Sequence, residues 1–205
     1  MHREQLGPYV LQWPDGVFPL GGDSLALGDF MTVKNRDRVC DLGTGSGLLL
    51  LLLARRAEGL SLTGLELDPL AADAARRNLA DNGLEGTVLT CDLRDSGLPA
   101  GSFDLAVSNP PYFAKGSGTS GGSARCEENC TLEEVCAAAA RLLKNGGRFA
   151  LCHRPERLVD LLCCLRQNGL EPKRLKLLSH SPAHSPWAVL VEARKQGKPG
   201  LIIEP

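Results

Sequence analysis

Positions 109–112 read Asn-Pro-Pro-Tyr: a planar amide, two imide bonds and a phenol ring in succession. Paired prolines fix two φ angles and remove two backbone donors, so the Asn109 side-chain oxygen and the Pro110 carbonyl are presented from a stiff support. Two rigid acceptors side by side suit a particular task. An exocyclic amino group conjugated to a ring is a poor nucleophile, and acceptors that draw its hydrogens out of plane free its lone pair. Tyr112 offers a ring for stacking, which makes Asn109, Pro110, Pro111 and Tyr112 the candidate catalytic set. If the electrophile is already activated, alignment supplies most of the acceleration and no general base is required.

A second constellation lies upstream. Asp41-x-Gly43-x-Gly45-x-Gly47, with Thr44 inside it, puts three glycines between an apolar run and a leucine-rich run. Backbone there can approach a ligand closely, and the helix start that follows favours negative groups, which implies a nucleotide-type ligand. The dinucleotide fingerprint would need its third glycine at position 48, where Leu48 stands, so a nicotinamide cofactor is the poorer match. Glu66 follows at the separation where an acidic side chain accepts hydrogen bonds from both ribose hydroxyls. Asp92, followed by Leu93, suits the amino group of an adenine ring; its plainer reading is a turn cap.

Strand patterns at 38–42, 60–67, 87–91, 103–108, 149–153, 174–178 and 187–193 alternate with helical ones at 24–31, 48–56, 69–82, 131–144 and 155–168. Asp23 is the expected N-cap of the first helix and Asp68-Pro69 the start of the third. Thr131 and Glu134 form a capping box for the fourth, which Asn145-Gly146-Gly147 should end. The alternation predicts an α/β fold with a doubly wound, mostly parallel seven-stranded sheet, whose last two strands join without a helix and give an antiparallel edge strand. Asp41, Glu66, Asp92 and Asn109 then all sit at strand carboxyl ends, where open α/β sheets bind ligands. Residues 113–129, rich in Gly and Ser, read as a long loop able to close over a substrate.

A chain of 205 residues, 43% hydrophobic, suits a single domain. Its 23 basic and 24 acidic residues give a charge of -1, so contact with nucleic acid would depend on local patches. Lys173, Arg174, Lys176, Arg194, Lys195 and Lys198 form one phosphate-contacting patch if the last two strands are neighbours. The aliphatic run 48–54 is far below the ~20 residues of a membrane span, and the amino terminus lacks the apolar core of a signal peptide. A soluble cytoplasmic protein, monomer or weak dimer, without membrane association is expected. Eight cysteines then read as reduced thiols. Cys126, Cys130, Cys136 and His153 lack paired metal-ligand spacing, so no metal is expected, and His180 and His184 read as solvated turn residues.

With these residues in order, the chain resembles the class I S-adenosylmethionine-dependent methyltransferases, which have a Rossmann-like fold. Residues 18–27, the Asn-Pro-Pro-Tyr-Phe ending and Ala124-Arg125-x-Glu127 further resemble the bacterial tRNA(Val) adenine-N6-methyltransferases, which modify the adenine beside the anticodon. The resemblance implies S-adenosyl-L-methionine as cofactor, held by Phe18, Asp23, Asp41, Gly43, Thr44, Gly45, Gly47, Glu66, Asp92, Leu93 and Asn109. It also implies a cofactor-capping segment at 1–35 ahead of an α/β core at 36–205, and an RNA substrate, tRNA. Relatives usually continue past 201–203. Methylation of a protein glutamine amide is the alternative, as in the release-factor methyltransferases, although those carry an extra amino-terminal helical domain where this chain has about 35 residues. A cofactor-binding scaffold without activity would be expected to have lost Asn109.

Overall fold

The computed structural model describes residues 1–17, 21–110, 130–181 and 183–205. Along the chain run β1 (His2–Leu6), β2 (Tyr9–Trp13), α1 (Gly22–Phe30), β3 (Arg38–Leu42), α2 (Leu48–Ala54), β4 (Ser61–Glu66), α3 (Pro69–Asp81) and β5 (Gly86–Thr90). There follow β6 (Phe103–Ser108), α4 (Leu132–Leu142), β7 (Leu143–His153), α5 (Leu158–Gln167), β8 (Leu170–Leu178), β9 (Ala188–Lys195) and β10 (Ile202–Glu204). No helix among the described residues is long and apolar enough to cross a membrane.

The main sheet has the order β10-β8-β9-β7-β6-β3-β4-β5 and eight strands, one more than the seven expected. The extra strand, β10, pairs in parallel with β8 through Ile202↔Arg174. Three residues with both isoleucines exposed carry no alternating pattern for a sequence reading to catch. Strand β9 runs antiparallel to both its neighbours, β7 and β8, and the other pairings described in the sheet are parallel. Strand order turns back between β3 and β6, and the Ser108 hydroxyl donates to the Leu42 carbonyl at 2.7 Å across the carboxyl ends of those two strands. Such a switch point is where a crevice opens in this architecture.

Each face of the sheet carries its own apolar layer. Helix α2 is buried all round, Leu48 through Leu53, under α1 and beside α3. On the opposite face Val135, Leu142, Leu161 and Leu165 of α4 and α5 pack on Phe149. Local signals set the helix ends: Asp68 accepts from the Leu70 N–H at 2.9 Å ahead of Pro69, and the Thr131/Glu134 capping box is formed. Two boundaries differ from expectation. Helix α1 starts at Gly22 with Gly21 at its N-cap, so Asp23 sits in the first turn and its Oδ1 accepts from the Ser24 N–H at 2.8 Å. Helix α4 ends at Leu142 because Leu143 already pairs with Phe103; Asn145-Gly146-Gly147 forms an irregularity inside β7, which reaches Leu105 only at Arg148.

The amino-terminal hairpin of β1 and β2 forms a separate two-stranded sheet, turned at Gly7 with φ +66°. Its open edge meets a helix instead of a strand. Asn82 Oδ1 accepts from the Val10 N–H at 2.7 Å and Asn82 Nδ2 donates back to the Val10 carbonyl at 2.8 Å. Asn78 treats Gln12 the same way, at 2.9 and 2.7 Å. Residues four apart on a helix rise ~6 Å and residues two apart on a strand ~6.6 Å, so the amides of Asn78 in α3 and Asn82 at its C-cap match the strand's repeat.

Candidate active site

Strand β3 delivers Asp41 to the switch point fully buried. Its Oδ2 accepts from the Thr44 hydroxyl at 2.7 Å, while Oδ1 has no hydrogen-bond partner among the described residues. Burial pushes this carboxyl up to about 7, with the Glu66 charge adding to the rise and the Thr44 hydrogen bond opposing it. The loop that follows turns through left-handed residues, Gly43, Gly45 and Gly47, at φ +76°, +56° and +85°. A Cβ on Gly43 or Gly45 would meet nothing within 4 Å, so those two glycines are needed for conformation and leave open space above the loop. Gly47 is also tight, because a Cβ there would lie 3.3 Å from Ala75.

Glu66 ends β4 and is pinned by backbone on both sides. Its Oε2 accepts from the Gly45 N–H at 2.7 Å and its Oε1 from the Asp68 N–H at 2.9 Å. Each oxygen retains a second lone pair directed to incoming donors. Asn78 supports the same loop from below, its Nδ2 donating to the Ser46 carbonyl at 2.8 Å.

Asp92, beyond β5, follows the plainer reading in the structure. It caps the 3₁₀ turn Leu93–Asp95 by accepting from the Arg94 N–H, and its carboxylate is gripped by the Arg94 guanidinium, which holds it below the usual range. Arg94 also bonds Glu134 Oε1 at 2.9 Å, tying this turn to the start of α4. Leu93 packs half-buried against the α4 side of the core.

Asn109 follows β6 with Pro110 buried behind it. Its Nδ2 donates to Ser24 Oγ at 2.7 Å, and its Oδ1 is buried without a partner among the described residues. The N–H side of the amide is thus committed to α1 and the acceptor side is left over. Ser24, itself buried, is a contributor that sequence reasoning missed: one serine in a helical stretch carries no pattern. Phe18, Pro111, Tyr112, Cys126 and the loop 113–129 lie outside the described residues.

The last two strands are neighbours, as the expected phosphate patch requires, but the topology divides its cations between the two ends of the sheet. Arg194 Nε donates to the Gly146 carbonyl at 3.0 Å, Lys195 Nζ to the Leu143 carbonyl at 2.7 Å and Lys173 Nζ to the Lys198 carbonyl at 3.1 Å. Leu143 opens β7, so Arg194 and Lys195 lie at the amino end of the sheet, opposite Asn109, whereas Lys176 pairs with Leu190, which pairs with Cys152 near the carboxyl end. Arg174 is an internal strut: it pairs with Glu192 and Glu204, bonds the Thr32 hydroxyl, and stacks over the Phe30 ring at 4.4 Å. Among the described residues no group of three His, Cys, Asp or Glu side chains could hold a metal ion.

A family model for the methyltransferase small domain matches residues 21–159, which include Asp41, Glu66, Asp92 and Asn109. The chain belongs to the methyltransferase small-domain family. Curated relatives of the chain are named tRNA1(Val) (adenine(37)-N6)-methyltransferase. That of Porphyromonas gingivalis is 36% identical over 163 residues, 75% of this chain and 64% of its own length. That of Bacteroides fragilis is 31% identical over 187 residues, 87% and 78% of the two chains. The chain thus spans a little under two thirds of the Porphyromonas protein. Among solved structures, a predicted O-methyltransferase of Agrobacterium tumefaciens superposes with TM-score 0.73 at 23% identity, covering 88% and 84% of the two chains. A methyltransferase of Pyrococcus furiosus gives 0.68 at 20%, covering 91% and 89%. At these identities the likeness is one of fold.

The geometry of the site fits S-adenosyl-L-methionine. Two buried acceptors without partners, Asp41 Oδ1 and Asn109 Oδ1, flank a glycine loop with open space above it, and Glu66 sits beyond with lone pairs to spare.

Proposed function

We propose that the chain methylates N6 of an adenine in tRNA beside the anticodon, in the cytoplasm, as a monomer or weak dimer. S-adenosyl-L-methionine supplies an electrophilic methyl group on a sulfonium, already activated for displacement. The observation that carries the reading is the Asn109 amide, whose N–H side is engaged by Ser24 and whose oxygen remains as an unshared acceptor.

In this reading Glu66 accepts from the ribose hydroxyls, and Gly43, Thr44, Gly45 and Gly47 bring backbone close to the cofactor. Asp41 faces its ammonium end, Asp92 and Leu93 border its adenine, and the segment 1–35, with Phe18 and Asp23, caps it. Asn109 Oδ1 and the Pro110 carbonyl accept the two hydrogens of the adenine amino group, pulling the nitrogen toward pyramidal geometry and freeing its lone pair. Pro111 stiffens that corner and Tyr112 stacks on the base. The attacking amine becomes cationic on methylation and gives up its proton afterwards, so an acceptor in place suffices without a strong base. An adenine stacked in a helix cannot reach this crevice, whereas the splayed bases of an anticodon loop can.

The test is methyl transfer from labelled cofactor to unmodified tRNA, with nucleoside mass spectrometry of the product. N6-methyladenosine next to the anticodon is the expected product. Label on a release-factor glutamine and none on tRNA would replace this reading with protein methylation.

A further inference from the structure

Arg194 and Lys195 sit at the far end of the sheet and Arg174 is committed to Glu192 and Glu204, so a substrate at Asn109 must be held by other groups on the rim at the strand carboxyl ends. We propose that the stacked rings of His180 and Trp187 on this rim are a platform for an unstacked base of the RNA that flanks the target adenine. The proposal rests on the RNA-methylating reading above.

Trp187 closes the connection between β8 and β9, its N–H donating to the Leu178 carbonyl at 2.9 Å. The imidazole of His180 lies over its indole with ring centroids 5.9 Å apart and planes 21° from parallel. Trp187 is half-buried and its inner edge packs against the apolar layer of α1 and α2, whereas His180 is exposed. The pair is therefore a flat ring held at the surface by a second ring anchored in the core. Its neighbour His184 is engaged by the Ser181 hydroxyl at 2.6 Å, which leaves His180 as the ring presented outward.

Register places this pair over the site. Ser108 is level with Leu151, Cys152 pairs with Leu190, and Trp187 lies three residues beyond Leu190 past the carboxyl end of β7. With ~3.3 Å per residue and ~4.8 Å per strand, the Trp187 backbone stands roughly 14 Å diagonally from that of Asn109. The indole reaches back across part of that gap: its Cη2 would be 3.9 Å from a Cβ on Gly22, at the start of the helix whose Ser24 holds Asn109. A nucleotide adjoining the one seated at Asn109 thus finds a π-face within reach on the same rim. Base–aromatic stacking is sequence-tolerant and needs no net positive charge, which suits a chain of charge -1.

The test uses the full chain with cofactor and unmodified tRNA, alongside a synthetic anticodon stem–loop. Trp13→Phe leaves Trp187 as the sole tryptophan, and its emission should be quenched on titration with the stem–loop. His180→Ala should raise the KM for tRNA about tenfold, the scale of one lost base–aromatic stack, with kcat and cofactor affinity unchanged; His180→Phe, which keeps a flat ring, should restore the KM. Unchanged emission while methyl transfer proceeds, or equal KM in wild type, His180→Ala and His180→Phe, overturns the platform. Wild type that neither binds nor methylates tRNA is the separate failure of the RNA reading, and removes the platform with it.

Discussion

Ser24 and Asn109 are 85 positions apart in the chain and share a 2.7 Å hydrogen bond, so the first helix after the hairpin orients the amide at the end of β6. An amide oxygen freed of internal duty is useful only if the group cannot rotate away. Ser24→Ala should lower kcat about fivefold, the scale of one neutral hydrogen bond of ~1 kcal/mol, while cofactor affinity by calorimetry stays near wild type. Ser24→Thr keeps the hydroxyl and should recover much of the loss. Equal turnover in wild type and Ser24→Ala would deny the serine its orienting role.

Removing the acceptor itself costs more. Asn109→Ala should retain cofactor binding and lose about 10²–10³ in turnover, as when one positioned polar contact to a reacting centre is deleted. Single-turnover kinetics with saturating tRNA isolates that step, and near-normal rates there would take Asn109 out of the mechanism.

Glu66→Ala should weaken S-adenosyl-L-methionine by about 1.5–3 kcal/mol, with a second effect on the loop because the Gly45 and Asp68 N–H groups lose their acceptor. Glu66→Gln keeps an acceptor for one of them and should fall between. Calorimetry separates the three proteins.

Asp41 and His153 give opposite pH dependences. The Asp41 carboxyl rises from 3.8 to about 7 on burial, so the folded state binds the extra proton between those values and stability falls as pH rises through that window. Burial lowers His153 from 6.5 to about 4, with the Arg157 and Arg154 charges adding to it. The unfolded chain therefore binds more protons between those values, and His153 makes stability rise with pH there. The two slopes oppose one another up to about pH 6.5, and Asp41 alone acts above it. Denaturant melts of Asp41→Asn from pH 4 to 8 should show a rise to about pH 6.5 and then a plateau, in place of the wild type's late decline.

Lys173→Ala and Lys195→Ala should leave the KM for tRNA unchanged, since both amines cap carbonyls at the far end of the sheet. Arg174→Ala should instead cost about 2 kcal/mol of stability, because Glu192, nearly buried, loses its cationic partner. A raised KM in the two lysine variants would return the phosphate patch to the substrate path.

The central alternation and the positions of Asp41, Glu66 and Asn109 were legible because each sits where an apolar run meets a turn, and glycine or proline marks the junction. Asp92 was legible as an acidic strand end, but its Arg94 partner was not: an arginine two residues on is ordinary until the 3₁₀ turn folds its side chain back. The hairpin escaped because β1 buries only Leu6, and β10 because two exposed isoleucines and a half-buried Glu204 have no period. Ser24 escaped for a different reason. Contacts across 85 residues belong to the packing of α1 on the sheet, which no local pattern encodes. The basic patch was divided by direction: the antiparallel pairing of β8 and β9 puts Arg194 and Lys195 at the amino end of β7 and Lys176 near its carboxyl end, which adjacency alone does not reveal.

The asparagine clasp on the hairpin also bears on how the molecule ages. Asn82 precedes Gly83, the pairing in which the following backbone nitrogen most readily closes on the side-chain amide carbon, because glycine places no Cβ in the way. In the folded chain both ends of that amide are occupied by Val10, its nitrogen also donates to the Asn78 carbonyl, and the Gly83 N–H is held by the Ala80 carbonyl at 3.0 Å. Cyclisation must break these bonds first, so docking of the first strands preserves Asn82 chemically as well as conformationally. Once lost, the change feeds itself: a carboxylate at 82 would face two carbonyls where a donor had been, loosening the hairpin that slowed the reaction.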